Sequence, residues 1–232
     1  MKKIISFSLW GNSPKYIIGS IQNAELAKKI YPGWICRFYI GQSTLAVALH
    51  EMNLLRRMQN VEIIEMSEEG DWTGMFWRFL PCSDPDVDIM ISRDCDSRLS
   101  FREKKAVNDW LASGKSFHIM RDHPHHDTKI LGGMWGTRTH ILRDMVGLIA
   151  DYSKKNYWQI DQEFLTKIVF PRIENDCIIH DEFFNGKKFP TRRNKLEFVG
   201  GVYDEYNNQN SQHIELLDAY LKSRKKWYQI FK

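Results

Sequence analysis

Two aspartates one residue apart, Asp94 and Asp96, stand in the segment Ser92-Arg93-Asp94-Cys95-Asp96-Ser97-Arg98. In extended backbone, residues two apart point to the same side, so this spacing aims both carboxylates at one place. Carboxylates so close repel each other. A divalent cation relieves the repulsion, and Mn²⁺ or Mg²⁺ accepts such oxygen ligands while leaving positions open for phosphate oxygens. Arg93 and Arg98 flank the pair and are expected to add phosphate contacts. Arg78 stands in a run of aromatics, Met75-Phe76-Trp77-Arg78-Phe79. A buried arginine without a partner is costly, so this one is expected against a carboxylate or a phosphate, at the functional site.

These groups need elements to hold them. The aspartate motif follows Val87-Asp88-Ile89-Met90-Ile91, which reads as a buried strand. Ligands of open α/β sheets bind beyond the carboxyl ends of such strands. Ahead of it, residues 4–9 read as a strand that ends at Gly11. Ser13 and Pro14 then open a helix that stops at Pro32-Gly33. A strand over 34–40, a helix over 45–58 and a strand over 61–66 complete an alternation that predicts a parallel sheet with right-handed crossovers. Residues 73–80 predict a short aromatic helix. Ser100 and Glu103 form a capping box for a helix over 100–113, with Gly114 past its end. Residues 117–120 read as a further strand, 141–152 and the stretch from Ile214 as amphipathic helices, and 203–212 as an exposed loop. No GxGxxG or Walker A pattern follows any strand, which argues against those phosphate-binding loops.

Composition sets the outer limits. The chain has 232 residues, 43% of them apolar, 27% charged and 13% aromatic. That suits one folded α/β domain and excludes a disordered chain. No apolar run approaches the ~18 residues of a membrane span. The net charge of +4 is scattered, apart from Lys222, Arg224, Lys225 and Lys226. It suits a phosphorylated small molecule better than a nucleic acid. Cys36, Cys82, Cys95 and Cys177 form no CxxC pair, which fits reduced thiols and a cytoplasmic location.

The order of elements and the late Asp-x-Asp resemble the GT-A fold of nucleotide-sugar-dependent glycosyltransferases. Residues 3–11, Phe76-Trp77-Arg78-Phe79, residues 92–98, Gly132-Gly133-Met134-Trp135-Gly136 and His180-Asp181-Glu182-Phe183 together resemble a family of small GT-A-like proteins, across nearly the whole chain. The resemblance implies a Rossmann-type, mostly parallel sheet flanked by helices. It also implies a nucleotide-binding half over 1–98 and an acceptor-side half over 99–232. It implies a metal-dependent transferase of the hexosyltransferase type, moving a sugar from a nucleotide-diphosphate donor to a glycan or other hydroxyl acceptor. Asp94 and Asp96 would hold Mn²⁺ or Mg²⁺ with the donor's diphosphate, and Asp94 would also touch the donor. Phe7, Ser8, Trp10 and Gly11 would hold the nucleoside, with Trp10 stacked on the base. Gly132, Gly133 and Trp135 would lie beside the donor sugar. Asp161 is the expected general base, with Glu163 second, and His180 a further metal ligand. The cluster His123, His125 and His126 matches no standard zinc spacing and is expected on a substrate-facing loop.

Two other classes compete. Aspartate-nucleophile phosphohydrolases also carry Asp-x-Asp after a strand, but typically after the first and followed by Thr or Val; here Ser97-Arg98 follow a later one. A non-catalytic GT-A-like module that binds a glycan or a protein is the third reading.

Overall fold

The computed structural model describes residues 1–152 and 156–230, with side chains through Ser223. Three members of the basic cluster, Arg224, Lys225 and Lys226, lie outside the described side chains. Strand β1 (Lys2–Leu9), helix α1 (Pro14–Ile30), β2 (Ile35–Ile40), helices α2 (Gln42–Val47) and α3 (Leu49–Arg56), and β3 (Val61–Glu65) follow in order. A 3₁₀ helix over Trp72–Ser83 leads into β4 (Val87–Ser92) and α4 (Phe101–Ala112). Then come β5 (Phe117–Arg121), β6 (Trp135–Arg138), α5 (Met145–Tyr152), α6 (Ile160–Phe164), α7 (Phe170–Ile173), β7 (Cys177–Asp181) and α8 (Ser211–Ile230).

The seven strands form one sheet in the order β3-β2-β1-β4-β6-β5-β7. All neighbours pair parallel except β6, which runs antiparallel to both β4 and β5. The sequence predicts no strand over Trp135–Arg138. Four residues containing Gly136 carry little strand propensity, and pairing on both sides supplies what they lack. The expected single helix over 45–58 is broken at Ala48, which leaves the helical region at φ −112°, ψ 39°.

Alternation along β1 sorts its side chains between the two faces of the sheet. Ile5, Phe7 and Leu9 enter the apolar cluster under α1 and α3, where Phe7 stacks on Phe38 at 4.7 Å. Ile4 enters the opposite cluster, built on the aromatic 3₁₀ helix and α5–α7. Ser8 shares the side of Ile4, so its hydroxyl meets that 3₁₀ helix and accepts a hydrogen bond from the Arg78 backbone N–H at 3.0 Å. The end of β1 and the position of Arg78 are thereby fixed together. No helix among the described residues is long and apolar enough to cross a membrane.

Candidate functional site

Arg78 is the centre of the site. It leaves the 3₁₀ helix beside the tip of β4, and its guanidinium bridges two carboxylates: it donates to Asp94 Oδ1, and through Nη2 to Asp161 Oδ2 at 2.6 Å. The expectation of a carboxylate partner for this arginine is met twice. Asp94 lies just past β4, and its side chain is 41% exposed. Asp161 comes from the first turn of α6, is 1% exposed, and keeps its other oxygen buried without a hydrogen bond among the described residues. Burial pushes the Asp161 carboxyl above its ordinary pKa; the Arg78 charge opposes that shift and the Asp94 charge adds to it.

Gly132 and Gly133 lie against this trio. A Cβ on Gly132 would come within 2.2 Å of both Arg78 Nη2 and Asp161 Oδ2, and one on Gly133 within 2.0 Å of Asp94 Oδ2. The paired glycines serve close approach, as their type predicts. What the backbone approaches is the carboxylate–guanidinium cluster. Ser92 Oγ anchors the segment by donating to the Gly132 carbonyl at 2.6 Å.

Asp96 is mostly buried and accepts from Lys15 Nζ at 3.1 Å. Burial and the neighbouring Asp94 charge raise its pKa, against the pull of Lys15. Burial works against the Lys15 ammonium, but Asp96 and Tyr16 together outweigh it and the lysine pKa rises. The sequence reading overlooked Lys15. A signal was available: a cation in the first turn of a helix opposes the helix dipole and calls for an anionic partner.

Other expected site residues stand elsewhere. Arg93 turns inward, wholly buried, and donates to Glu103 at 2.8 Å and to the carbonyls of Ser92 and Trp135, so it faces away from any phosphate. Its demand for a buried anion takes Glu103 out of the reciprocal capping box; Ser100 Oγ still caps α4 by accepting from the Glu103 N–H at 3.1 Å. Arg98 is spent on Asn207 and on the carbonyls of Cys95, Ser97 and Asp204. Phe7 is core, as above. Trp135 is fully buried, stacked on Phe117 at 5.2 Å, and does not face a cleft. His180 is also fully buried on β7, separated from β4 by the two strands β6 and β5. Its ring nitrogens meet His118 at 2.8 Å and Asp109 at 3.0 Å, so both are engaged away from Asp94 and Asp96. Among the described residues no three His, Cys, Asp or Glu side chains stand together as a metal cluster. Glu163 is held by Tyr152 at 2.9 Å, by Tyr157 and by Lys167. These bonds, that of Lys167 first, hold its carboxyl down to about 2, which makes it a poor base.

At the end of β1, the half-buried Trp10 packs edge-on against Trp72 at 5.8 Å and is seated on Gly70 and Gly74. Gly11 turns the chain with φ 79°, donating to Ser43 Oγ and accepting from Thr44 Oγ1. The three loop histidines cluster with His213 of α8: His123 lies 5.5 Å from His213, and His125 6.0 Å, between ring centres.

No family model matches the chain, and no curated protein does. Solved structures are similar to it. One is a glycosyltransferase involved in the glycosylation of the major capsid of PBCV-1, at 16% identity and TM-score 0.50, over 78% of this chain and 82% of that one. Another is a mannosyltransferase from Pyrobaculum calidifontis in complex with GDP-Man and Mn²⁺, at 12% identity and TM-score 0.52, over 78% of this chain and 55% of that one. A third is the 4-diphosphocytidyl-2C-methyl-D-erythritol synthase from Anaerococcus prevotii, at 11% identity and TM-score 0.51, over 95% and 99%. At these identities the likeness establishes the fold, and the fold is that of GT-A glycosyltransferases.

Proposed function

We propose that this protein transfers a sugar from a nucleotide-diphosphate donor to a hydroxyl acceptor, with the donor's diphosphate seated at Asp94 and Asp96. The observation that carries this reading is the joining, through Arg78, of an open carboxylate at the tip of β4 to a buried one on α6. Such a join lies where ligands of these sheets bind.

The aspartate pair suits a divalent cation. Burial first and the Asp94 charge second raise the pKa of Asp96, and a cation shared by the two carboxylates would relieve the second cause. With no third protein ligand among the described residues, phosphate and water would complete the shell, as is common for Mg²⁺. Bound there, the ion would supply Lewis-acid screening of the charge that grows on the departing diphosphate.

The chain's own residues hold and orient. Arg78 fixes Asp94, and Asp161 fixes Arg78 from behind. Lys15 adds positive charge beside Asp96, at the helix that follows β1. Trp10 and Gly11 receive the nucleoside where β1 ends, and the Gly132-Gly133 backbone lies over the site next to the donor sugar. Of the two candidate bases, Asp161 is the better: burial raises its proton affinity, and one of its oxygens is free. Because Asp161 is buried, taking the acceptor's proton requires the packing over its free oxygen to open.

Calorimetric titration with UDP, GDP and their sugar derivatives, with and without Mn²⁺, tests this. We expect metal-dependent binding, weakened at least about tenfold in Asp96→Asn. Wild-type protein that binds none of these, or an Asp96→Asn variant that binds as well as wild type, would falsify it. The full-length likeness to the erythritol synthase favours nucleotidyl transfer as the second reading. Release of pyrophosphate from a nucleoside triphosphate, with no turnover of nucleotide-sugars, would put that reading first.

A further inference from the structure

Beside the cluster lies a cleft of about 360 Å³, walled on one side by the segment from His125 to Leu131 and on the other by Tyr157 to Lys167. Small-molecule sites start at about 300 Å³. The cleft is next to the candidate site by chain connection: Leu131 precedes Gly132, and Gln162 follows Asp161. Trp158 lines it and is 65% exposed, an unusual position for the largest aromatic side chain.

The wall is built to hold that indole out. Tyr157, the residue before it, is clamped by Glu163. Gln159, the residue after it, sits in the left-handed region at φ 66°, a strained conformation for a non-glycine residue. Strain kept at a cleft that presents an aromatic ring points to a use for the ring. Around Trp158, the side chains of Asp127 and Gln162 are offered to the cleft, and no described residue hydrogen-bonds them.

We propose that this cleft is the acceptor subsite and that the acceptor is a neutral carbohydrate, one pyranose face stacked on Trp158. This rests on the transferase reading above and names its acceptor class. The C–H hydrogens on one face of a pyranose carry partial positive charge and match the negative face of an aromatic ring. The hydroxyls around its edge match planar acceptor and donor groups such as Asp127 and Gln162. Charge decides against acidic sugars. Lys167 is already paired with Glu163, whereas Asp127 has no ion-pair partner among the described residues, so a uronate or a sialic acid would meet repulsion.

The test uses ligand-observed NMR on the full chain, with and without UDP or GDP. The probes are methyl glycosides of glucose, galactose, mannose and N-acetylglucosamine, their disaccharides, and methyl glucuronide. We expect at least one neutral glycoside to bind, the glucuronide not to bind, and affinity to fall about tenfold in Trp158→Ala but within about threefold in Trp158→Phe, since a single aromatic contact is worth about one power of ten. Thermal melting of both variants checks that the fold is intact. Two results overturn the acceptor assignment while the donor reading stands: nucleotide binding with no glycoside binding, and glycoside binding unchanged in Trp158→Ala. Glycoside binding at Trp158 in a protein that binds no nucleotide overturns the word acceptor together with the transferase reading.

Discussion

Up to β4 the sheet is parallel and its interior is apolar. The cluster under α1 and α3 gathers Ile5, Phe7, Leu9, Phe38 and Ile40, and the one buried charge of β2, Arg37, points to the other face and pairs with Glu62 and Asp84. After β4 the interior keeps an apolar cluster around Phe117, Trp135 and Phe164 but adds buried polar networks. Asp122, fully buried, takes two bonds from Arg102, one from the Arg193 side chain at 2.6 Å and one from the Val199 N–H at 2.9 Å. His118 and His180 bond each other inside the fold. The site lies where the two regions meet: Arg78 and Asp94 come from the first, Asp161 and the glycine pair from the second. A rigid apolar sheet fixes Asp94 and Asp96 at the tip of β4, while the second region, held by long-range ionic bonds, shapes the loops that close on them.

The contrast can be broken hardest at Asp122. Asp122→Ala leaves Arg102 and Arg193 buried with one partner fewer, and we expect a loss of about 3–5 kcal/mol in urea unfolding. Nucleotide binding at low temperature, where the variant stays folded, is expected to be unchanged. A loss under 1 kcal/mol would mean that this network is dispensable. At the junction, Gly133→Ala places a methyl against Asp94 Oδ2, and we expect about 1–3 kcal/mol of destabilisation together with loss of nucleotide binding. Unchanged binding would separate the glycine segment from the donor site.

The smallest expected effect is one of slope. Burial raises the Asp161 pKa in the fold, so the folded chain holds that proton more tightly than the unfolded one. Its contribution to stability is complete below the unfolded value, near 3.8, and is lost as pH rises through the folded value. Relative to Asp161→Asn, which keeps the neutral form at every pH, wild type is therefore expected to lose stability as pH rises above 3.8. Asp109 behaves in the opposite sense: the Lys187 hydrogen bond lowers its pKa, so its stabilisation is lost on acidification. Urea midpoints of both proteins across that range read the difference. Parallel curves would remove the burial argument for Asp161.

How much could be read ahead differs between the same two regions. The alternation up to Val61–Glu65 emerged from periodicity and turn residues, because each crossover is local and its apolar runs have nowhere to go but inside. β6 did not, because its strand character comes from β4 and β5, neighbours distant in sequence. Among the site residues, Arg78 was predictable as a buried cation in need of an anion. Arg93 was misread, since its sequence position beside Asp94 says nothing of the turn that points it at Glu103. Trp135 and His180 were misread in the same way: both stand near suggestive neighbours, and both point into the core.

Residue order alone was enough for the Asp-x-Asp at a strand tip, the glycine pair and the element alternation, because these depend on spacing within a few residues. Folding in three dimensions chose the partners. Arg78 reaches Asp161 across 83 positions and Arg102 reaches Asp122 across 20, and no local pattern encodes such pairs. They form because a charge enclosed in an apolar interior must find its opposite there, and which opposite is near depends on how the whole sheet has packed.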